Sequence, residues 1–223
     1  MRNRYAMPVH PDVLKKDFET TIDLNNIAKM YLSLKDKSLK DLKENNLKRI
    51  GVYLEEAWFD INNKTGVNLR DREKLAPIFY ELNRIFGGDK VVDKAYRGVR
   101  LSSFDPNAIS KNYSKAIKNP NVLEHLEGLA YGLRSWSTDE FEAERWAIRD
   151  TKKAKKDMVI FQIDMPEVVL DSTPVNEYYK KTHYQYFLDT DEVVLYIKNP
   201  NIISIKPSTK IERLYYVKIK DMG

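Results

Sequence analysis

Three short blocks of the sequence carry residue types that could do chemistry, and they follow one another along the chain. The first is Tyr96-Arg97-Gly98, which lies in a run of β-forming residues. An arginine that faces inward from a strand is costly to bury unless it meets an anion, and its planar guanidinium fork matches a phosphate. Gly98 has no side chain, so a flat ligand could approach the backbone closely there. A surface arginine at the end of a strand is the plainer interpretation, and this block alone leaves both open.

The second block is Ser135-Trp136-Ser137-Thr138, at the end of another β-like run. The segment Ser137-Thr138-Asp139-Glu140 has the spacing of a capping box, which predicts Ser137 as the N-cap of the following helix. Ser135 lies two residues earlier and has no such local role. A ligand-binding hydroxyl and a purely structural one both remain open for Ser135.

The third block, residues 189–196, is an acidic entry into a strongly apolar strand. Glu192 adjoins residues that must be buried, so its carboxylate is expected at the wall of a cleft. There it could stabilise a cation or accept a proton from a hydroxyl group. Alternation along the strand puts Thr190 on the same side as Glu192 and Asp191 on the opposite side. Acids that open a strand are also commonly just solvated, and that interpretation stays open.

The composition excludes several kinds of site. The 223 residues include no cysteine, so neither a disulfide nor a thiol nucleophile is available. His10, His125 and His183 are too scattered to suggest zinc, and we expect no metal. The common phosphate-binding motifs G-x-x-x-x-G-K-[ST] and G-x-G-x-x-G are missing from the sequence.

Charge and hydropathy bear on partners and location. The formal net charge of +5 permits a nucleic-acid partner without requiring one. No apolar run is long enough to span a membrane, and the first residues lack the apolar core of a secretory signal. The sequence therefore predicts a cytoplasmic protein with no membrane partner.

The elements that must position the three blocks follow from the spacing of apolar residues. Helical spacing predicts helices over 13–34, 39–61 and 69–86, the last of which ends at Gly87-Gly88. Short β-forming runs after residue 90 predict strands over 95–101, 129–136, 158–163, 168–170, 192–197, 202–205 and 214–219. One helix is predicted near 139–149. The fold class is therefore α+β, with a helical region 1–90 packed on a β-rich core 91–223 as a single compact unit.

Together, the order and spacing of the three blocks resemble the R-S-E class of mono-ADP-ribosyltransferases. In that family the Ser-x-Ser block is followed by an alanine, an aromatic residue three positions on and often another alanine. Ala143, Trp146 and Ala147 fit this pattern, and the helical spacing predicts that they share one face of their helix. A helical N-terminal third before the arginine strand is similar to the small phage ADP-ribosyltransferases of the T4 type and to bacterial toxins of the same kind.

This resemblance implies a core of two packed, mainly antiparallel sheets and a reaction with NAD as co-substrate. The family splits the bond between nicotinamide and ribose and passes ADP-ribose to an acceptor. On the family pattern Arg97 contacts an NAD phosphate, and the Gly98 backbone binds the nicotinamide amide. Ser135 positions the ribose and the catalytic carboxylate, and Glu192 binds the ribose 2′-hydroxyl and stabilises positive charge. The expected NAD-binding set is completed by Tyr96 and Ser137.

The acceptor is where this sequence departs from the family pattern. Members that modify arginine usually have glutamate two positions before the catalytic glutamate, and those that modify asparagine usually have glutamine, but here that position is Thr190. Arginine as acceptor then needs Asp189 or Asp191 to reach across from a neighbouring position. The preceding aromatic residues Tyr184, Tyr186 and Phe187 would meet the acceptor and could stack on a nucleobase, or belong to the core.

Several functions remain open on these residues. RNA or DNA is slightly favoured over a protein side chain as acceptor. An NAD glycohydrolase and a non-catalytic binding module on the same fold are the alternatives. Enzymes of this kind serve as phage proteins that reprogram a bacterial host, or as bacterial toxins held in check by an inhibitory or antitoxin protein, so such a partner is expected here too.

Overall fold

The computed structural model describes residues 24–43, 47, 73–101, 107–148, 156–181 and 192–223. Within these ranges the helices are α1 (Leu24–Leu34), α2 (Ala76–Phe86), α3 (Tyr113–Ala116), α4 (Pro120–Ala130), α5 (Glu140–Ile148) and α6 (Ser172–Lys181). The strands are β1 (Lys94–Arg100), β2 (Gly132–Ser137), β3 (Met158–Asp164), β4 (Val168–Asp171), β5 (Glu192–Ile197), β6 (Pro200–Pro207) and β7 (Leu214–Asp221). None of the described helices is long and apolar enough to cross a membrane.

The seven strands form one sheet that is almost divided in two. Their order is β4-β5-β2-β1-β3-β7-β6, and every neighbouring pair is antiparallel except β3 and β7. Strands β1 and β3 are paired along their whole length, whereas β1 and β2 share the single pair Tyr96 and Ser137. The α+β class is confirmed, and the two sheets that the resemblance implies are the two halves of one hydrogen-bonded sheet.

A shared hydrophobic core joins the two halves. Trp136 and Val193 come from the β4-β5-β2 half, and Phe161 and Val217 come from the other half. Helices α3 and α4 add residues such as Leu126 to the same cluster. Burial of this apolar surface holds the halves together where the ladder between β1 and β2 is reduced to one residue pair.

Each half also carries helices on its other face. Helices α1, α2 and α6 cover the β4-β5-β2 half, where Phe79 and Val175 pack with Leu170. Helix α5 covers the second half, where Ala143 packs with Ile160. In the part of the chain that the structure describes, α1 and α2 lie against the β4-β5-β2 half, and the division into a helical region 1–90 packed on a core 91–223 stays a prediction.

The end of α2 follows from local chemistry. Pro77 lies in its first turn, where the missing amide hydrogen is not needed. Gly87 ends the helix with a φ of 72°, and its amide donates to the Asn83 carbonyl oxygen. A side chain in this left-handed conformation would be strained, which is why a glycine stands there.

Two predictions about the elements are wrong. The strand predicted over 129–136 begins only at Gly132, because Leu129 and Ala130 form the last turn of α4. The region after residue 90 contains α3, α4 and α6 besides the one helix that was predicted. In α4 the buried Val122, Leu126 and Ala130 recur every four residues, a helical spacing that the β-forming residues beyond it obscured.

The helices predicted over 13–34 and 39–61 are only partly described. The first is represented by α1, in which Ile27 and Leu34 are buried. Of the second, the structure describes a short 3-10 turn over Leu39–Asp41. Most of the remaining residues of that second range lie outside the described residues.

Candidate functional site

Arg97 bridges the two halves of the sheet where they separate. It lies on β1, and its Nη1 donates a hydrogen bond of 2.7 Å to the backbone carbonyl oxygen of Ser135 on β2. Ladder pairing between β1 and β2 is limited to Tyr96 and Ser137, so this bond spans a gap beside the last paired residues. The structure therefore brings the first and second sequence blocks into direct contact through a partly buried guanidinium.

The third block joins the other two through strand register. Ser137 is the Cα partner of Glu192 on β5 and also of Tyr96 on β1. Cross-strand partners present their side chains on the same face of a sheet and lie within about 5.5 Å of each other. Tyr96, Ser137 and Glu192 therefore form a row across three adjacent strands, beside the Arg97–Ser135 contact.

Alternation along β2 separates the polar residues of the site from the core. Trp136 is 2% exposed and packs in the shared core, so Ser135 and Ser137 point to the opposite face. Glu192 is partly exposed, while the next residue, Val193, is buried against the core. Glu192 therefore lies at the edge of the buried core, and its expected place at the wall of a cleft stays a prediction.

Ser137 is not the N-cap that the sequence predicts. The Asp139 carboxylate accepts a hydrogen bond of 2.9 Å from the Phe141 amide, so Asp139 caps α5. The Ser137 hydroxyl instead accepts a bond of 3.0 Å from the Asp139 amide. Because α5 starts at Glu140, the cap moves by two residues, and Ser137 links the end of β2 to the cap.

The face of α5 predicted to carry Ala143, Trp146 and Ala147 is buried at the two alanines. Ala143 and Ala147 are 1% and 0% exposed and pack on the sheet. Trp146, one three-residue step from Ala143, is 45% exposed and lies at the edge of that face.

Tyr96 is buried beneath α5. It is 8% exposed and packs with Ala143 and Ala147. Burial raises the pKa of the Tyr96 hydroxyl, and the nearby Glu140 carboxylate raises it further. Tyr96 therefore stays neutral at physiological pH, and in this structure its ring supports the helix that follows the Ser-x-Ser block.

A polar network behind the row was not predicted from the sequence. The Asn83 side chain is 5% exposed; its Oδ1 accepts from the Asp171 amide and its Nδ2 donates to the Asp89 carbonyl, both at 2.9 Å. Asp171 is the Cα partner of Val193, next to Glu192. This network thus connects α2 to the strand pair that carries Glu192. The Gly87-Gly88 turn, which folds the chain back next to Asn83, was the only sequence signal for it.

A small cavity lies beside the row. Its volume is about 110 Å³, and it is lined by Asp89, Val92, Thr138, Asp171, Thr173 and Val193. Thr138 follows Ser137 and Val193 follows Glu192, so the cavity is adjacent to the candidate site and lies between β5 and the network around Asn83.

The residues present fit NAD in two respects. The Arg97 guanidinium, with its fork of donors, is a suitable partner for phosphate oxygens. Beyond Tyr96, β1 has no ladder pairs with β2, so the backbone of Gly98 is not paired with β2. Among the described residues no cluster of three or more His, Asp or Glu side chains could hold a metal ion.

The predicted acceptor residues lie outside the described residues. These are Tyr184, Tyr186, Phe187, Thr190 and Asp191. The structure describes α6, which ends at Lys181, and β5, which begins at Glu192. The acceptor side of the site therefore remains a prediction from the sequence.

Comparison with solved structures finds similar folds. The ADP-ribosyltransferase Vis, solved in complex with agmatine, is 13% identical, with a TM-score of 0.42 over 95% of this chain and 90% of its own. Plx2a, an ADP-ribosyltransferase toxin from Paenibacillus larvae, is 16% identical with a TM-score of 0.36 over 91% of this chain and 98% of its own. HopU1 of Pseudomonas syringae is 15% identical with a TM-score of 0.33 over 74% of this chain and 64% of its own. All three are ADP-ribosyltransferases. No protein-family model matches the chain, and no curated protein matches its sequence.

Proposed function

We propose that the chain is a mono-ADP-ribosyltransferase that moves ADP-ribose from NAD to a macromolecular acceptor. The observation that carries the proposal is the convergence of the three sequence blocks. Arg97 bonds the Ser135 carbonyl, and Ser137 is paired with Glu192 on the neighbouring strand. Residues far apart in the sequence thus lie on three neighbouring strands, β1, β2 and β5.

Each residue has a role in the proposed reaction. Arg97 binds a phosphate of NAD, and the Gly98 backbone meets the nicotinamide amide. Ser135 and Glu192 hold the ribose, with the Glu192 carboxylate accepting a hydrogen bond from the 2′-hydroxyl. The bond from the ribose C1′ to nicotinamide breaks with its electron pair leaving on nicotinamide. The acceptor then bonds to C1′ and loses its proton, while the Glu192 carboxylate stabilises the positive charge that develops on the sugar.

The acceptor follows from the sequence around residue 190. Thr190 cannot deprotonate a guanidinium group, and the aromatic residues Tyr184, Tyr186 and Phe187 can stack on a flat base. RNA or DNA is therefore our preferred acceptor over a protein side chain. We further propose action in a bacterial cytoplasm, as a phage protein or as a toxin that an inhibitory protein controls.

The test uses NAD labelled on its adenylate half with a bacterial lysate. The wild type is compared with Glu192→Gln and with Glu124→Gln, a matched change at an exposed glutamate on α4. We expect label that survives protease and is removed by nuclease, with Glu124→Gln as active as the wild type. Loss of the Glu192 charge should lower nicotinamide release by roughly 100-fold or more, the range seen when a group that stabilises transition-state charge is removed.

Other outcomes identify the other functions. Label that only protease removes would make the chain a protein modifier, and agmatine would then test a guanidinium acceptor with the wild type and Thr190→Glu. NAD consumption without macromolecular label would make it an NAD glycohydrolase. No binding or turnover of NAD by the folded wild type would leave a non-catalytic module and refute the roles of Arg97, Ser135 and Glu192.

A further inference from the structure

The side of Gly98 on which a side chain would project is filled by α5. A Cβ atom built at Gly98 would lie 1.8 Å from the Ala143 carbonyl oxygen and 2.8 Å from the Ala147 amide nitrogen. Both are backbone atoms of a helix, so rotation of a side chain cannot relieve the contact. Ala143 and Ala147 are themselves buried, which shows that the helix lies directly on the strand.

Helix α5 is in turn tied to the candidate site. It begins shortly after Ser137, at Glu140, and the Ser137 hydroxyl accepts a hydrogen bond from the Asp139 amide in the connection. Ser137 is paired with both Tyr96 and Glu192. A displacement of α5 is therefore passed to Ser137 within one short turn, and Ser137 is the middle member of the row that contains Glu192.

We infer that Gly98 is a positioning residue that seats α5 and thereby holds Ser137 opposite Glu192. Position 98 must be glycine because α5 covers the face of β1 towards which a side chain would project. The proposed contact with NAD uses only the backbone of Gly98. An ordinary contact distance of at least 3.4 Å requires α5 to move away by about 1.6 Å if any side chain is added at this position. The catalytic part of this inference rests on the proposed function, and the structural part does not.

The experiment measures amide hydrogen exchange in Gly98→Ala without NAD, together with NAD turnover. Two controls are matched to it. Gly128→Ala makes the same change on α4, where an added Cβ meets nothing within 4 Å. Val217→Ala weakens the shared core, in which Val217 is fully buried, at a place away from α5. Exchange in Gly98→Ala and in Val217→Ala is measured at temperatures equally far below the melting temperature of each variant.

We expect exchange over residues 138–148 of Gly98→Ala to be at least about tenfold faster than in either control, with a smaller increase around Ser137 and Glu192. NAD turnover should fall roughly 10- to 100-fold, since a misplacement of about 1 Å has costs of that size. If Gly98→Ala does not fold, Ala147→Val is used instead, because it adds side-chain bulk on the helix side of the same contact. It should give the same selective increase in amide exchange over residues 138–148.

Unchanged exchange over 138–148, or a change no larger than that of Val217→Ala, would overturn the seating of α5. Selective exchange with full NAD turnover would overturn the positioning of Ser137 and Glu192. If the wild type does not consume NAD, the proposed function fails, and the exchange comparison alone still decides whether Gly98 seats the helix and whether the effect reaches Ser137.

Discussion

The bond from Arg97 to the Ser135 carbonyl makes a measurable prediction about the junction of the two half-sheets. Only the pair Tyr96 and Ser137 joins β1 to β2 in the described ladder, and the guanidinium adds a polar connection outside that ladder. The change Arg97→Met keeps most of the side-chain length and apolar stem but removes this donor. We therefore expect the junction to weaken without a large cavity.

The size of the effect follows from the kind of bond. A hydrogen bond from a charged donor contributes about 1.5–3 kcal/mol, and at 2.7 Å this one has the short length typical of such bonds. We take about 2 kcal/mol for a partly buried side chain. In a chain of this size each kcal/mol shifts the melting temperature by about 2–4 °C, so Arg97→Met should melt roughly 4–8 °C below the wild type.

The assay is thermal unfolding, followed by circular dichroism or calorimetry. The control is Lys94→Met, which removes a positive charge from an exposed position on the same strand and should change stability by less than about 0.5 kcal/mol. Arg97→Lys keeps the charge but lacks the planar fork, so its melting temperature should fall between the other two. A melting temperature for Arg97→Met equal to that of Lys94→Met would refute the role of Arg97 as a bridge between the half-sheets.

Three further changes test other parts of the structure. Asp139→Ala removes the cap of α5 and should lower the free energy of unfolding by about 1 kcal/mol in urea titrations, whereas a larger loss in Ser137→Ala would place the cap at Ser137 instead. Asn83→Ala breaks two hydrogen bonds and leaves the Asp171 amide without its partner, so a loss of about 2–4 kcal/mol is expected; a loss below about 1 kcal/mol would contradict the proposed link between α2 and β4. Burial lowers the pKa of His125, so the unfolded chain binds a proton more readily than the folded one as the pH falls through about 6.5. The free energy of unfolding should therefore drop more between pH 7 and 5 in the wild type than in His125→Asn. Equal pH profiles of stability for the two proteins would rule out this contribution of His125.

Much of the local structure could be predicted because its causes are local. Strand β5 occupies the predicted range Glu192–Ile197, because a polar residue followed by β-branched residues marks where a buried strand begins. The end of α2 was predictable for the same kind of reason, since Gly87 can adopt a positive φ. The first and last residues of other elements were missed where apolar runs continue from a helix into a strand, as at Leu129 and Gly132.

The pattern of residues along the chain identifies the candidates for the site and the order in which they occur. Arg97, Ser135 and Glu192 each stand on or next to a β-forming run that the chain reveals locally. The roles of Thr190 and Asp191 remain predictions from that pattern alone. The tertiary structure decided everything that depends on distant partners: that β1 and β2 separate after one residue pair, and that Arg97 reaches the Ser135 carbonyl. It also decided that α5 closes one face of Gly98. The physical reason is that spacing along a chain encodes local conformation, whereas the approach of two backbones is fixed only when all the packed elements come together.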